Sequence, residues 1–452
     1  MARQLLLASH WKDIKAIDLL TALSDLAFEV GESTTAFRIL RRIIQLTPND
    51  VHASLRLGQA LRRSGQKQEA LPYLQRAQQL EPQNEQVLYE LALVLEDLQH
   101  YDEALAHIRQ ALRQNPQDAD LLNVAASNLC NLGNPEEAIP LYVQAIEQEP
   151  DFHALSFNLS QALLQAGQWR EGWRFFDYRL VLRPPEKRPE SSAPLWKGES
   201  LAGKSILIWQ EQGFGDTIQF LRFLPVLTEM KAEVTVLING QLITLAEKNF
   251  PDCTFIDQRQ SPLPTDYQLP ILSLPRRLEL NDPQMLTGEA YLTCKETEAL
   301  AGNDNLRIGL VWAGNPNHPD DHRRSITSAL LSPLLKTAGV AWYSFQVGRH
   351  EWAEEQNAIH DLRPQLTNFL ATAQYIRQMD LIISVDTAVA HLAGAMGTTT
   401  WLLLDYAADW RWGSHPNQTE WYQSMRLFRQ KRPGDWSGVI QQVQKVLHNL
   451  YS

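Results

Sequence analysis

Apolar positions in the first part of the chain recur at helical spacing in paired stretches. Leu57 and Leu61 are followed by Leu71 and Leu74, Leu91 and Leu95 by Leu105 and Ile108, and a polar turn such as Arg63-Ser64-Gly65 breaks each pair. Steps of three to four residues put side chains on one face of a helix, so each pair predicts a helix-turn-helix unit. Pro48, Pro82, Pro116, Pro150 and Pro184 stand 34 residues apart each time, which marks the unit as a repeat. Each proline falls just past the second helix, where it cannot extend that helix but can open the first turn of the next. Ala36, Ala70, Ala104, Ala138 and Gly172 share one position of the repeat, and Ala77, Ala111 and Ala145 share another. Small residues there allow close helix approach. The second position becomes Ile43 in the first repeat and Arg179 in the last, as expected where a stack ends or abuts another domain.

Beyond Pro184–Pro194, a linker rich in proline, serine and charge, the pattern changes to short apolar runs alternating with amphipathic stretches. Ser205 to Ile208, Glu233 to Ile238, Arg307 to Trp312, Trp342 to Gln346, Leu381 to Val385 and Thr400 to Leu404 predict buried parallel strands. The domain organisation expected is a helical array over residues 1–183, a linker over 184–194, and two α/β lobes over 195–300 and 301–452. The change of lobe falls in the polar segment Ala301 to Asn305, and Ser437 to Leu450 is a closing helix. Two doubly wound lobes place a cleft at the carboxyl ends of their strands, where nucleotides bind in such folds.

Three stretches of this second half carry candidate chemistry. Gln212-Gly213-Phe214-Gly215-Asp216-Thr217 joins a predicted strand to an amphipathic helix starting near Ile218; its glycines permit a tight turn and close approach to a ligand, and Asp216 is either a helix cap or a functional carboxylate. Ser384-Val385-Asp386-Thr387-Ala388-Val389-Ala390-His391 runs from a strand into a helix start that favours a diphosphate. Anionic Asp386 would orient a base, a ribose or the local amides, and His391, about a turn further on, is either a packed core residue or part of the site. Gly309-Leu310-Val311-Trp312-Ala313-Gly314-Asn315, followed by His322-Arg323-Arg324, offers a ligand loop and guanidinium groups suited to phosphate. Asp320 and Asp321 lie close by, but adjacent carboxylates without a strand context are a weak metal signal.

Composition narrows the function classes. At 452 residues the chain is too long for one core, and 44% apolar with 21% charged residues is an ordinary globular balance. A net charge of -11 argues against a general nucleic-acid partner or an anionic membrane surface. Cys130, Cys253 and Cys294 lack metal-ligand spacing and are expected as buried thiols in a reducing compartment. With no run of about 20 apolar residues and an N-terminal apolar run limited to Leu5–Ala8, the expectation is a cytoplasmic protein.

The first half, from about residue 14 to 183 in roughly five repeats, resembles the tetratricopeptide repeat family, which implies a solenoid. Its groove then either binds peptides or proteins, or serves as a scaffold or dimerisation surface. The Gly-rich aspartate turn, the Gly-x-x-Trp-x-Gly-Asn loop and the Ser-Val-Asp-Thr-Ala-x-Ala-His stretch are similar to glycosyltransferase family 9, the heptosyltransferase-like group, over about residues 195–435. Trp410-Arg411-Trp412 and Trp421-Tyr422 to Arg429 resemble the subgroup fused to tetratricopeptide repeats. That resemblance implies a GT-B fold of two Rossmann-like lobes, the first on the acceptor side and the second on the nucleotide-sugar side. It also implies a nucleoside-diphosphate sugar as donor, inversion at the anomeric carbon, and no cofactor or obligatory metal.

The matching positions make Asp216 the general base, Arg324 with Arg323 the counter-charge to the leaving diphosphate, and Asp386, Thr387 and Ala388 the phosphate loop. Gln346 and Gly348 would border the nucleotide base, and Gly213, Gly215, Gly314, Asn315 and His391 complete the donor-binding candidates. The chain departs from the heptosyltransferase pattern in having Ala388 where glycine is usual and in lacking a clear lysine after the Gly-Asn loop, so the resemblance does not extend to ADP-heptose and lipopolysaccharide as substrates. The reading is therefore an enzyme that moves a sugar to a protein or glycan recruited by the repeat groove, with an oligomer allowed. The alternative is a non-catalytic tetratricopeptide scaffold carrying a degenerate nucleotide-binding domain.

Overall fold

The computed structural model describes residues 14–182, 189–295, 305–348 and 359–451, together with Trp11 and Leu300. Residues 184–188 of the linker expected at 184–194, residues 301–304 of the Ala301–Asn305 change of lobe and residues 1–10, 12 and 13 of the N-terminal segment ahead of Ala16 lie outside the described residues. Contacts divide the chain into two compact units, Met1–Leu155 and Ser156–Ser452.

The first unit contains four helical hairpins: α1 (Ile17–Glu29) with α2 (Ser33–Leu46), α3 (Val51–Arg63) with α4 (Lys67–Leu80), α5 (Glu85–Asp97) with α6 (Tyr101–Leu112), and α7 (Ala119–Asn131) with α8 (Pro135–Gln148). Ala36, Ala70, Ala104 and Ala138 are all fully buried, as close helix packing requires. The prolines sit just past the second helix of each hairpin, as expected: α2 ends at Leu46 and α3 begins at Val51, leaving Pro48 outside both. There the proline carbonyl takes a side-chain donor from the following hairpin, Arg76 on Pro48, Gln110 on Pro82 and Gln144 on Pro116. Asp50, Asn84 and Asp118, also one period apart, cap α3, α5 and α7 by accepting from the amides of Ala53, Val87 and Leu121.

The hairpin turn is set by a residue in the left-handed region. Gly31, Gly65 and Gly133 fill that position at φ 77°, 82° and 80°, and Gln99 fills it in the third hairpin at φ 65°. Glu90 is buried and accepts from Gln59 at 3.1 Å and Arg62 at 3.4 Å, so its charge is spent inside the array.

In the second unit, α9 (His153–Gln165) and α10 (Trp169–Phe176) form a fifth hairpin. A Cβ on Gly172 would lie 2.7 Å from Leu164, so glycine is what this crossing allows. Trp169 stacks on Trp421 at 5.1 Å, and Trp173 meets Trp410 edge-on at 5.4 Å and Phe220 at 6.2 Å. The last repeat is thereby part of the core of the sheet-bearing unit. Arg179, where the repeats have alanine, pairs with Glu211 through two hydrogen bonds of 2.9 and 2.6 Å, both side chains being buried.

Two wholly parallel sheets follow. The first orders its strands β3 (Cys253–Asp257), β2 (Glu233–Ile238), β1 (Ser205–Trp209) and β4 (Tyr267–Pro270). The second runs β10 (Met425–Arg429), β9 (Thr400–Leu404), β8 (Leu381–Val385), β5 (Leu306–Val311), β6 (Val340–Ser344) and β7 (Ile359–Asp361). Numbered from its first strand, the second sheet has the order 3-2-1-4-5-6 of a Rossmann fold, and the first sheet has the opening half of it. Among the helices, α11 (Phe214–Leu221) and α12 (Leu224–Glu229) follow β1, α13 (Gly240–Asn249) follows β2, α14 (Phe369–Ile376) precedes β8, α15 (Ala388–Ala395) follows it, and α16 (Trp436–Tyr451) ends the described chain.

The six strands read from the sequence are the interior strands of the two sheets; β3, β4, β7 and β10, which were not, are the four edges. An edge strand has a solvent side and does not need a continuous apolar run. Helix α11 starts at Phe214 rather than near Ile218, which makes the glycine turn itself the first helical turn. Cys294 is buried, but Cys130 and Cys253 are only half-buried, because each sits at the outer end of its element.

Replacing Gln99 by glycine removes a left-handed side-chain residue and is expected to raise stability by about 1 kcal/mol, against an equal loss for Gly133→Gln. Urea denaturation of the two variants beside the parent chain measures both.

Candidate active site

Strand order reverses between β1 and β4 in the first sheet and between β5 and β8 in the second, and the loops leaving the carboxyl ends of β1, β5, β6 and β8 surround one cavity of about 720 Å³. That volume suits a nucleotide-sized ligand. Of the residues expected from the sequence, Gly213, Gly215, Asp216, Gly314, Asn315, Arg324, Gln346, Gly348, Asp386, Thr387, Ala388 and His391 all line it.

Asp216 lies in the first turn of α11. Its Oδ2 accepts the Gly213 amide at 2.9 Å, closing the helix start, while Thr217 Oγ1 donates to the Gly213 carbonyl at 3.0 Å. Its Oδ1 faces the Arg411 Nη2 at 2.5 Å. The two readings of Asp216, cap and cavity carboxylate, are thus both present in one side chain. Gly215 also meets a packing need: a Cβ there would sit 2.7 Å from the His391 ring, so glycine admits the neighbouring helix.

Arg324 is positioned by a hydrogen-bonded loop. The Gly314 amide donates to Ser325 Oγ at 3.0 Å, and Ser325 donates on to the buried Asp321 at 2.8 Å. A Cβ on Gly314 would lie 2.8 Å from Asp321 and 3.2 Å from Arg324, so glycine lets the turn close over the loop without displacing either side chain. Within the structure the Arg324 Nε is buried without a hydrogen-bond partner, although the residue lines the cavity. Arg323, expected beside it, does not line the cavity; it is drawn off by Asp320 at 3.1 Å and Asp405 at 3.9 Å. Asp321 is committed to Ser325, and among the described residues no group of three His, Cys, Asp or Glu side chains is arranged to hold a metal ion.

At the start of α15, Thr387 occupies the cap position but its hydroxyl bonds Ser384 at 3.0 Å, and no side chain caps the helix. The first amides of α15 therefore lack a side-chain acceptor at the cavity wall. Asp386 accepts from Trp412 Nε1 at 3.0 Å; burial, reinforced by the charge of Asp409, raises its pKa above the usual carboxylate range. His391 is buried, with Nδ1 2.8 Å from the Tyr422 hydroxyl, its ring against Trp412 and Nε2 3.8 Å from Asp386. Burial depresses its pKa to about 3, so it is a neutral packed histidine that also lines the cavity.

The Gln346 side chain is spent internally, accepting from the amides of Trp312 and Ala313 and donating to the carbonyls of Ala313 and Val347. It shapes the wall and has no amide group left for a ligand. Gly348, in the left-handed region at φ 81°, closes the same wall.

The sequence reading missed Asp409, Arg411, Gln241 and the Phe214–Phe369 pair, whose rings are 4.9 Å apart. Arg411 had a signal, an arginine between two tryptophans, but its partners lie 195, 192 and 2 residues away along the chain and only the fold brings the two distant ones near.

Comparison with known proteins separates the two halves. Residues 2–182 match the family profile described as tetratricopeptide repeat. The N-terminal part of the chain is a tetratricopeptide-repeat array. Protein FlbA of Caulobacter vibrioides is 24% identical over 339 residues, covering 66% of this chain and 56% of FlbA. The chain therefore spans little more than half the length of that relative, and the match runs past the repeats into the sheet-bearing part. Among solved structures, MamA from Desulfovibrio magneticus is 19% identical with a TM-score of 0.35, covering 37% of this chain and 94% of its own. YrrB, a TPR protein with an unusual peptide-binding site, is 18% identical with a TM-score of 0.34, covering 39% of this chain and 90% of its own. The family profile stops at residue 182. No helix among the described residues is long and apolar enough to cross a membrane.

A neutral buried His391 has a pH signature. The unfolded chain takes up a proton below about pH 6.5 whereas the folded one does not until about pH 3, so stability falls as pH drops through that window. Between pH 7.5 and 5.0 the parent chain is expected to lose about 2 kcal/mol that His391→Gln does not lose, measured by urea denaturation at both pH values.

Proposed function

We propose that the chain is a glycosyltransferase of GT-B type that transfers a sugar, with inversion, from a nucleoside-diphosphate donor to a protein or glycan acceptor recruited by the repeats. The observation that carries the reading is that the Arg324 guanidinium and the uncapped start of α15 line the same cavity. A guanidinium offers paired charged donors and a helix start offers free amides and a positive dipole end, so together they suit a diphosphate.

Asp216 supplies the second half of the chemistry. It reaches the cavity from the α11 side, while Arg324 and α15 belong to the second sheet. As the base it takes the proton of an acceptor hydroxyl while that oxygen attacks the anomeric carbon and the bond to the diphosphate breaks, its electron pair leaving with the phosphate. Charge growing on the leaving group then faces Arg324 and the α15 amides. The Asp386–Trp412–His391–Tyr422 cluster is neutral or hydrogen-bonded throughout and holds the start of α15 in place. The repeats would bring the acceptor, as protein-binding repeats do elsewhere.

The test is thermal stability with UDP-, GDP-, ADP-, CMP- and dTDP-linked sugars. A matching donor at 100 times its dissociation constant is expected to add about 2.7 kcal/mol. Arg324→Ala abolishes that gain, whereas Asp216→Asn keeps it and lowers turnover at least about 100-fold. Absence of a shift with every donor, in folded protein, favours the non-catalytic scaffold.

A further inference from the structure

Arg411 lines the cavity, and none of the roles proposed above uses it. It belongs to the short turn Trp410–Trp412 that follows β9 of the second sheet, yet two of its three partners are on α11 of the first: Asp216 at 2.5 Å through Nη2 and Gln219 at 3.0 Å through Nε. The third, Asp409, accepts from Nη1 at 2.9 Å and from the Arg411 amide at 3.0 Å. The guanidinium lies 4.5 Å from the Trp410 ring, and Trp410 is itself wedged against Trp173 and Phe176. Every polar edge and one face of the group are therefore held.

We propose that Arg411 is a positioning residue for the transfer, one that aims the Asp216 carboxylate into the cavity from the opposite sheet and stays charge-balanced by Asp409 when Asp216 is protonated. The inference rests on the reading of Asp216 as base. Asp216 begins the step as a carboxylate and ends it as a carboxylic acid, having received the acceptor's proton. A buried arginine paired with one carboxylate alone would be left uncompensated at that moment. The second carboxylate removes the problem: Asp409 remains at 2.9 Å whichever form Asp216 takes. The hydrogen bond from Gly213 fixes the other Asp216 oxygen, so the carboxylate plane is set from both sides, by its own helix and by the opposing sheet.

A positioning role predicts a split between binding and turnover. With whichever nucleoside-diphosphate sugar shifts the melting of the parent protein, Arg411→Gln is expected to bind within about threefold of the parent by calorimetry and to turn over at least about 100-fold more slowly. Arg411→Lys, which keeps the charge but not the fork, should fall between the two. Millimolar guanidinium should restore part of the turnover of Arg411→Ala, and methylammonium should not; this readout stands even if the glutamine variant folds poorly. Turnover of Arg411→Gln at the parent rate overturns the proposal, and so does a loss of donor binding in step with turnover, since Arg411 would then be a donor ligand. A parent protein that binds a donor yet transfers nothing overturns the glycosyltransferase reading itself, a failure seen in the parent rather than in the variants.

Discussion

A guanidinium keeps its charge wherever it is placed, and Arg411 carries that charge into the interior of the sheet-bearing unit. Burial there must be answered by carboxylates at hydrogen-bond distance, and the two that answer it, Asp216 and Asp409, come from different sheets. Desolvation works against the ion, and the surrounding carboxylates outweigh it and hold its pKa above the ordinary arginine value. Much of the site geometry follows from this one requirement. Helix α11 must present Asp216 and Gln219 to the Arg411 turn, and the loops between them enclose the cavity.

Close approach is the second condition, met by deleting side chains where elements cross. Gly215 lets His391 lie against α11, Gly314 lets Arg324 and Asp321 close over the loop after β5, and Gly394 leaves room for Tyr422, whose ring would stand 2.6 Å from a Cβ there. Tyr422 then anchors His391, which in turn flanks Asp386. Tryptophans surround the cluster on the protein side, so the polar groups have few places to turn except toward one another and the cavity. The same aromatic packing ties the last repeat hairpin to the sheets, which explains why the repeat period runs on past the boundary between the two compact units.

Much of this was legible in the sequence where a local rule governs it. The 34-residue period announces the hairpins, and the interior strands carry unbroken apolar runs because both of their faces are covered. The edge strands escaped notice because β3 buries only Phe255, β10 is interrupted by the exposed Arg426, and β7 is only three residues long. Strand-to-helix turns bring Asp216, Asp386 and Thr387 to one cavity, since carboxyl-end loops converge in any doubly wound sheet. What could not be read was the choice of partners. Arg323 and Arg324 are neighbours in sequence, and only the fold gives one to Asp320 and Asp405 and the other to the cavity. Gln346 looked available for a ligand, but its amide bonds are taken by the loop after β5.

The central claim is that this cavity holds a diphosphate between Arg324 and the start of α15. The most direct measurement is a crystal structure of the full chain grown with UDP, GDP or ADP, whichever raises its melting temperature. The account predicts phosphate oxygens within hydrogen-bond distance of the Arg324 guanidinium and the Ala388 and Val389 amides, with Asp216 still paired to Arg411. A nucleotide bound away from Arg324 and α15, or an empty cavity in protein that binds none of the three, would contradict it.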